Sequence, residues 1–453
     1  GLKKDREGIK KKFDANYVFS LDEFALEYLY KEYFEQDIYY QGNFKNQKQI
    51  KNFIEPYTVQ TNEKNALTIL TEWYSTLSKP LMLVKGFGGV GKTTLVQYFL
   101  NELYKDNLAK ETNLKILFID SKDILSEIYK QGKIDNIYDF YNALANKKEL
   151  TKRFNKELLE LSVDNGNLLI VLDGIDEVIT KLANKFDINC FISTIYDNYS
   201  LGNEKTKIII TCRDSFWNQN NFNAFQINTI EIMPFTIELV EKFFSNYFDR
   251  SSKEFEKSIS LAREFPLKKN NDEIYLPYIL DIIADMLKQQ KELGNINRND
   301  IDSKILHTDL TNDYFVGRLC NREIEKIKSI DIDLQLEFFM KMAVEFDGEV
   351  TKSSYPKLLR KLPYQSNEIL EKLKGHPLID YNRDILIFRY DFFKEYFINL
   401  YLSQFFIQKN ISDFDENIQE LLLEYIKYDN TFTKNICQRI GFDEELQLFI
   451  IEL

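Results

Sequence analysis

Residues 86–94 read GFGGVGKTT and directly follow the apolar run LMLV at residues 81–84. The stretch fits G-x-x-x-x-G-K-[ST], with Gly86, Gly91, Lys92 and Thr93 at the defining places. Glycines let successive backbone N–H groups turn inward and wrap a phosphate chain. Gly88, Gly89, Val90 and Thr94 complete the stretch that would line it. Lys92 brings a point charge to the outer phosphates, the Thr93 hydroxyl suits Mg²⁺, and the helix starting near Lys92 adds its positive end. A chain with this loop is constrained to place it between a strand and a helix.

Such a loop needs an acid to complete the metal site. LLIVLDGIDEV, residues 168–178, supplies one: a continuous apolar strand ending in Asp173, with Asp176 and Glu177 within one turn. Asp173 is read as holding the Mg²⁺ shell, and Asp176 or Glu177 as orienting an attacking water. KIIITCRD ends a further strand at Arg213. That arginine either senses a terminal phosphate or forms a salt bridge at the strand end.

Five short apolar runs punctuate this half: LMLVK (81–85), KILFID (115–120), NLLIVLD (167–173), KIIITC (207–212) and INTIEI (227–232). Continuous rather than alternating apolar strands, separated by helices, predict a parallel sheet covered on both faces, the α/β layout of a P-loop NTPase. After Pro234 amphipathic helices dominate, until LIDYNRDILIFRY (378–390) predicts a hairpin turning at Asn382, Arg383 and Asp384 before another helix. Helices, a short hairpin and a closing helix outline a winged helix. The predicted division is an N-terminal helical segment (1–50, linker or recruiting surface), a nucleotide domain (51–235), a helical domain (236–330), a winged helix (331–405) and a C-terminal helical segment (406–453). No internal repeat is apparent.

With 453 residues and 44% apolar content, several packed domains are expected. A net charge of −12 weakens any reading as a general polyanion cradle. The basic cluster at Lys3, Lys4, Arg6, Lys10, Lys11 and Lys12 is read as a solvated helix end or linker, with a local binding patch as the alternative. Four separated cysteines form no CxxC pair, which fits a reducing cytoplasm better than a disulfide or zinc framework. No stretch approaches the roughly 18 apolar residues a membrane helix needs. The abundance of Asn, Lys, Ile and Tyr suggests AT-rich coding and a bacterium.

The sequence Asp173-Gly174-Ile175-Asp176-Glu177 resembles the second nucleotide motif of the NACHT ATPases, members of the STAND class of signalling P-loop NTPases. Thr211-Cys212-Arg213 is similar to the family's T-S-R strand end, and MPFT (233–236) to its entry into the helical domain. LPYILDII (276–283) resembles the segment whose Pro277 would lie against the adenine, and FRYDFFKEYF (388–397) the family's F-x-H-x-x-F-x-E-Y-F element. Tyr390 stands where the family often has a histidine reaching the β-phosphate of ADP, so that contact departs from the pattern. The family's sheet order would put the Arg213 strand between the loop strand and the Asp173 strand.

The resemblance implies an ATP/ADP switch with Mg²⁺ as cofactor. ADP holds it closed; ATP opens it to a homo-oligomer, and hydrolysis is slow. For a bacterial-looking member it further implies anti-phage defence. The trigger, a phage-derived protein or a nucleic acid, is not visible in these residues. The effector is absent from this chain or supplied by a partner. The competing reading is an ATP-driven nucleic-acid motor, helicase or AAA+-like, with a DNA-binding winged helix. A small-molecule kinase is a third, but no dedicated acceptor base is visible.

Overall fold

The computed structural model describes residues 8–12, 18, 24–42, 52–59, 65–76, 80–109, 114–182, 185–199, 205–213, 217, 227–269, 272–288, 297–324, 331–360, 376–382, 384–427 and 431–453. The predicted basic patch at Lys3, Lys4 and Arg6, and the hairpin residue Arg383, lie outside them. The described part forms two compact units. One comprises residues 1–51, 60–85 and 93–231; the other comprises 52–59, 86–92 and 232–453.

The first unit is built on a five-stranded sheet of order β2-β3-β4-β1-β5. Its strands are β1 (Leu81–Gly86), β2 (Lys115–Asp120), β3 (Leu168–Asp173), β4 (Ile208–Arg213) and β5 (Asn228–Glu231). All five coincide with the apolar runs to within one residue at each end. β2 and β3 pair in parallel with Asp120 opposite Asp173, β3 and β4 with Ile170 opposite Ile208, and β1 and β5 with Met82 opposite Asn228. The inner strand β3 is buried at every position, as a sheet covered on both faces requires. Helices α1 (Ala66–Ser75), α2 (Lys92–Ala109), α3 (Ser121–Lys130), α4 (Ile137–Lys147), α5 (Lys156–Asp164), α6 (Ile175–Lys181) and α7 (Ile188–Tyr199) supply the cover. Caps place several of them: Asn136 and Asp139 form a capping box at α4, and Asn155 caps α5.

The N-terminal stretch joins this unit's core. Tyr30 and Phe34 are buried there against Phe154, with ring centroids 6.0 Å (Tyr30–Phe154) and 5.7 Å (Phe34–Phe154) apart, and Tyr39 is buried against Phe34 at 5.5 Å. The Tyr40 N–H also donates to the Ile116 carbonyl of β2 at 2.8 Å.

The second unit is mostly helical: α8 (Ile237–Ser245), α9 (Lys253–Ala262), α10 (Pro277–Lys288), α11 (Thr311–Ile324), α12 (Ile332–Glu345), α13 (Tyr355–Arg360), α14 (Asp391–Gln408), α15 (Glu416–Tyr425), α16 (Thr431–Ile440) and α17 (Glu444–Glu452). A hairpin, β6 (Leu267–Lys269) and β7 (Asp272–Ile274), precedes α10. A three-stranded antiparallel sheet of β8 (Glu349–Thr351), β9 (Ile379–Asn382) and β10 (Ile385–Phe388) appears where the hairpin was predicted. Phe397 of α14 stacks on Phe388 (5.4 Å) and lies 5.2 Å from Phe339 of α12, joining sheet and helices. The C-terminal helices are part of the same core. Arg439 of α16 pairs through both terminal nitrogens with the fully buried Asp313, which also accepts from the Tyr396 hydroxyl at 3.0 Å.

Candidate nucleotide site

Gly86 ends β1 with φ +154°, and a Cβ there would meet the Ile232 carbonyl oxygen at 3.1 Å. Gly91 has φ +101°, and a Cβ there would meet nothing within 4 Å. Glycine is thus required at 91 for backbone conformation, in front of open space, which is the arrangement a phosphate cradle needs. The Lys92 ammonium folds back over the loop and donates to the Gly86 and Phe87 carbonyls, both at 2.9 Å. Its charge is thereby held at the loop rim.

The Thr93 hydroxyl donates to both carboxylate oxygens of Asp173, at 3.1 and 2.9 Å. Asp173 is buried and also accepts from the Thr211 hydroxyl at 2.7 Å. Thr211 accepts in turn from the Gly174 N–H at 2.8 Å, fixing the turn where β3 gives way to α6. Gly174 adopts φ +71° there. A hydroxyl and a carboxylate side by side are hard oxygen donors, suited to Mg²⁺ that takes its remaining ligands from phosphates and water. The residues present fit that ion.

Arg213 leaves the end of β4, which lies between β1 and β3 as the resemblance implied. Its Nε pairs with Asp176 at 3.1 Å and a terminal nitrogen approaches Glu177 at 3.6 Å. The Arg213 backbone N–H also donates to Asp176 at 3.2 Å, so Asp176 is anchored twice. The arginine is placed at the sheet edge by the acidic pair.

Pro277 opens α10, and Tyr390 caps α14. The Tyr390 hydroxyl donates to Asp281 at 2.5 Å, and Arg389 beside it pairs with Asp281 (3.4 Å) and Asp285. Burial and the Asp281 charge both raise the Tyr390 phenol well above its ordinary value. It is a neutral donor committed to a carboxylate in this structure.

Sequence reasoning named Lys92, Thr93, Asp173, Asp176, Glu177 and Arg213. The structure joins Thr93 to Asp173, and Arg213 to Asp176 and Glu177. It missed Thr211 as the residue that steadies Asp173, although the T-C-R strand end contained it. A threonine one strand over from the strand-end aspartate was the available signal.

A family model described as the NACHT domain matches residues 80–251. None of the curated proteins matches the sequence. Among solved structures, the Walker-type ATPase of Pyrococcus abyssi is 12% identical over 77% of this chain and 99% of its own, with TM-score 0.36. The Aeropyrum pernix ORC2 protein in ADPNP–ADP complexes is 12% identical over 79% and 98%, with TM-score 0.37. Drosophila ORC bound to DNA is 12% identical over 88% and 98%, with TM-score 0.32. Scores this low carry no argument. The family match spans the loop, the Asp173 turn and the Arg213 strand end together, so residues 80–251 of this chain match the NACHT domain, a P-loop NTPase module.

Proposed function

We propose that this chain is a STAND-type signalling ATPase: closed with ADP, open and oligomerising with ATP, and slow to hydrolyse it. The observation that carries the reading is the grouping of residues 86–92 with the helical unit, not with the sheet they grow from. A ligand in a loop packed with helices can bias how those helices are arranged, provided its affinity differs between arrangements. A swing from 1:99 to 99:1 needs about 5.5 kcal/mol of such difference.

The roles follow from the geometry. Loop amides and Lys92 would hold the phosphates; Thr93 and Asp173 would hold Mg²⁺, which supplies charge neutralisation at the transferring phosphate. Asp176, anchored twice to Arg213, is the orienting acid. Glu177, which a terminal nitrogen of Arg213 approaches at 3.6 Å, is the acid that would position water. Arg213 would report the third phosphate, exchanging part of its pairing with the acids for it. Pro277 would lie against the adenine. Helices 236–330 form a helical domain and 331–405 a winged helix, whose element order of helix, strand, helix and hairpin supports that reading.

The family resemblance supports a role in bacterial anti-phage defence in the cytoplasm, with a phage-derived protein or nucleic acid as trigger and an effector supplied by a partner. No described helix is long and apolar enough to cross a membrane. Light scattering with ADP–Mg²⁺ against a non-hydrolysable ATP–Mg²⁺ tests the switch. Assembly only with the ATP analogue is expected; turnover of many per second, stimulated by DNA, contradicts it and supports a motor.

A further inference from the structure

The phosphate-loop pattern fixes positions 86, 91, 92 and 93 and leaves 87 to 90 open. Residues 88 and 89 are nevertheless both glycine. Gly88 is not among the glycines with positive φ, so its backbone does not demand glycine. What crowds the position is a neighbour: a Cβ on Gly88 would meet the Phe392 Cβ at 3.0 Å. On Gly89, at φ +73°, a Cβ would meet Tyr278 Cδ1 at 2.7 Å and Phe392 Cδ1 at 3.4 Å. Two residues far along the chain therefore stand directly on the loop.

These two aromatics form one body. Their ring centroids are 4.1 Å apart, and Phe393 lies 4.3 Å from Phe392 and 5.7 Å from Tyr278. Tyr278 is buried and its hydroxyl donates to Asn312 at 2.7 Å, which fixes the ring. Phe392 follows Arg389 and Tyr390, both tied to Asp281 on the helix that carries Tyr278. A polar clamp and an aromatic contact thus join the start of α14 to α10, and the joined pair closes on the loop.

We propose that Tyr278 and Phe392 are an aromatic latch that holds residues 88–91 in their phosphate-wrapping shape and so slows nucleotide release. The slowing of release rests on the nucleotide reading above; the holding of the loop does not. The close approach of Phe392, and not the backbone conformation at 88, is what disfavours a larger residue there.

Gly88→Val wedges the latch open, and Phe392→Leu removes the ring while keeping apolar volume. Leu423→Ala, at a residue 73% exposed, is the control. Hydrogen exchange of the amides of residues 88–91 in the full chain is read alongside release of the fluorescent analogue mant-ADP. Both latch variants should exchange those amides faster than the control and release mant-ADP about tenfold faster, the size of one aromatic contact. Wild-type exchange and release in both variants would overturn the latch. Faster exchange in a protein that never retains mant-ADP would support the latch and overturn the nucleotide reading instead.

Discussion

Asp173 is held from two sides by hydroxyls, Thr93 on one and Thr211 on the other. The first could be anticipated, because the loop pattern and a strand-end aspartate are the two halves of the proposed metal site. The second was not drawn, although the implied sheet order already set the Thr211 strand beside the Asp173 strand. Thr211→Val keeps shape but removes the hydroxyl that bonds Asp173 and the Gly174 N–H. Losing such a buried bond costs about 1–3 kcal/mol. Expected is weaker Mg²⁺-dependent nucleotide affinity by roughly tenfold with Mg²⁺-free affinity little changed, measured by calorimetry. Arg213 was expected to sense a phosphate or to form a salt bridge, and the structure supplies the bridge. Arg213→Ala leaves the buried Asp176 without that partner. A loss of about 2–3 kcal/mol in stability by thermal melting is expected, with ADP binding nearly intact and the preference for ATP analogues reduced.

Among elements, the strands were the most legible because each is a continuous apolar run between polar turns. What holds the ends of elements was less so. Lys207, just before β4, reaches the C-terminal end of α1 and donates to the Trp73 and Thr76 carbonyls at 3.0 and 2.6 Å, over the Trp73 ring. Burial lowers its ammonium to about 8 from an ordinary 10.5. The unfolded chain then binds more protons between those values, so this group makes folding more favourable as pH rises from about 8 toward 10.5. Buried tyrosines act oppositely but later: burial pushes Tyr40 and Tyr196 up to about 12, and their contribution is lost above the ordinary 10. Stability of wild type relative to Lys207→Met, from urea unfolding between about pH 8 and 9.5, should therefore rise with pH. A flat difference would contradict the assignment. The aromatic contacts on Gly88 and Gly89 were illegible for a different reason: their partners lie far along the chain, and no local pattern encodes the approach.

At the scale of the molecule, Tyr30, Phe34 and Tyr39 near the start and Phe432, Ile436, Leu446 and Phe449 near the end are built into the cores. Removing residues 1–45 would strip Tyr30, Phe34 and Tyr39 from the first unit's core. At about 1.5–3 kcal/mol for each large apolar side chain, a fall in Tm of ~10 °C or more is expected. A recruiting surface there is better sought at exposed residues such as Tyr28 than by deletion. Arg439→Leu would leave Asp313 buried beside Tyr396 without its cation, and about 3 kcal/mol of destabilisation is expected, read by calorimetric unfolding. The order of the halves, sheet first and helices after, was plain from periodicity. That the phosphate loop packs with the helices was not. The most direct test of that coupling is the mass of the protein in solution, measured with ADP–Mg²⁺ and with a non-hydrolysable ATP–Mg²⁺, beside Lys92→Ala. A monomer with ADP, a defined oligomer with the ATP analogue and no response from the variant are predicted. The same mass under both nucleotides, with both bound, would contradict the account.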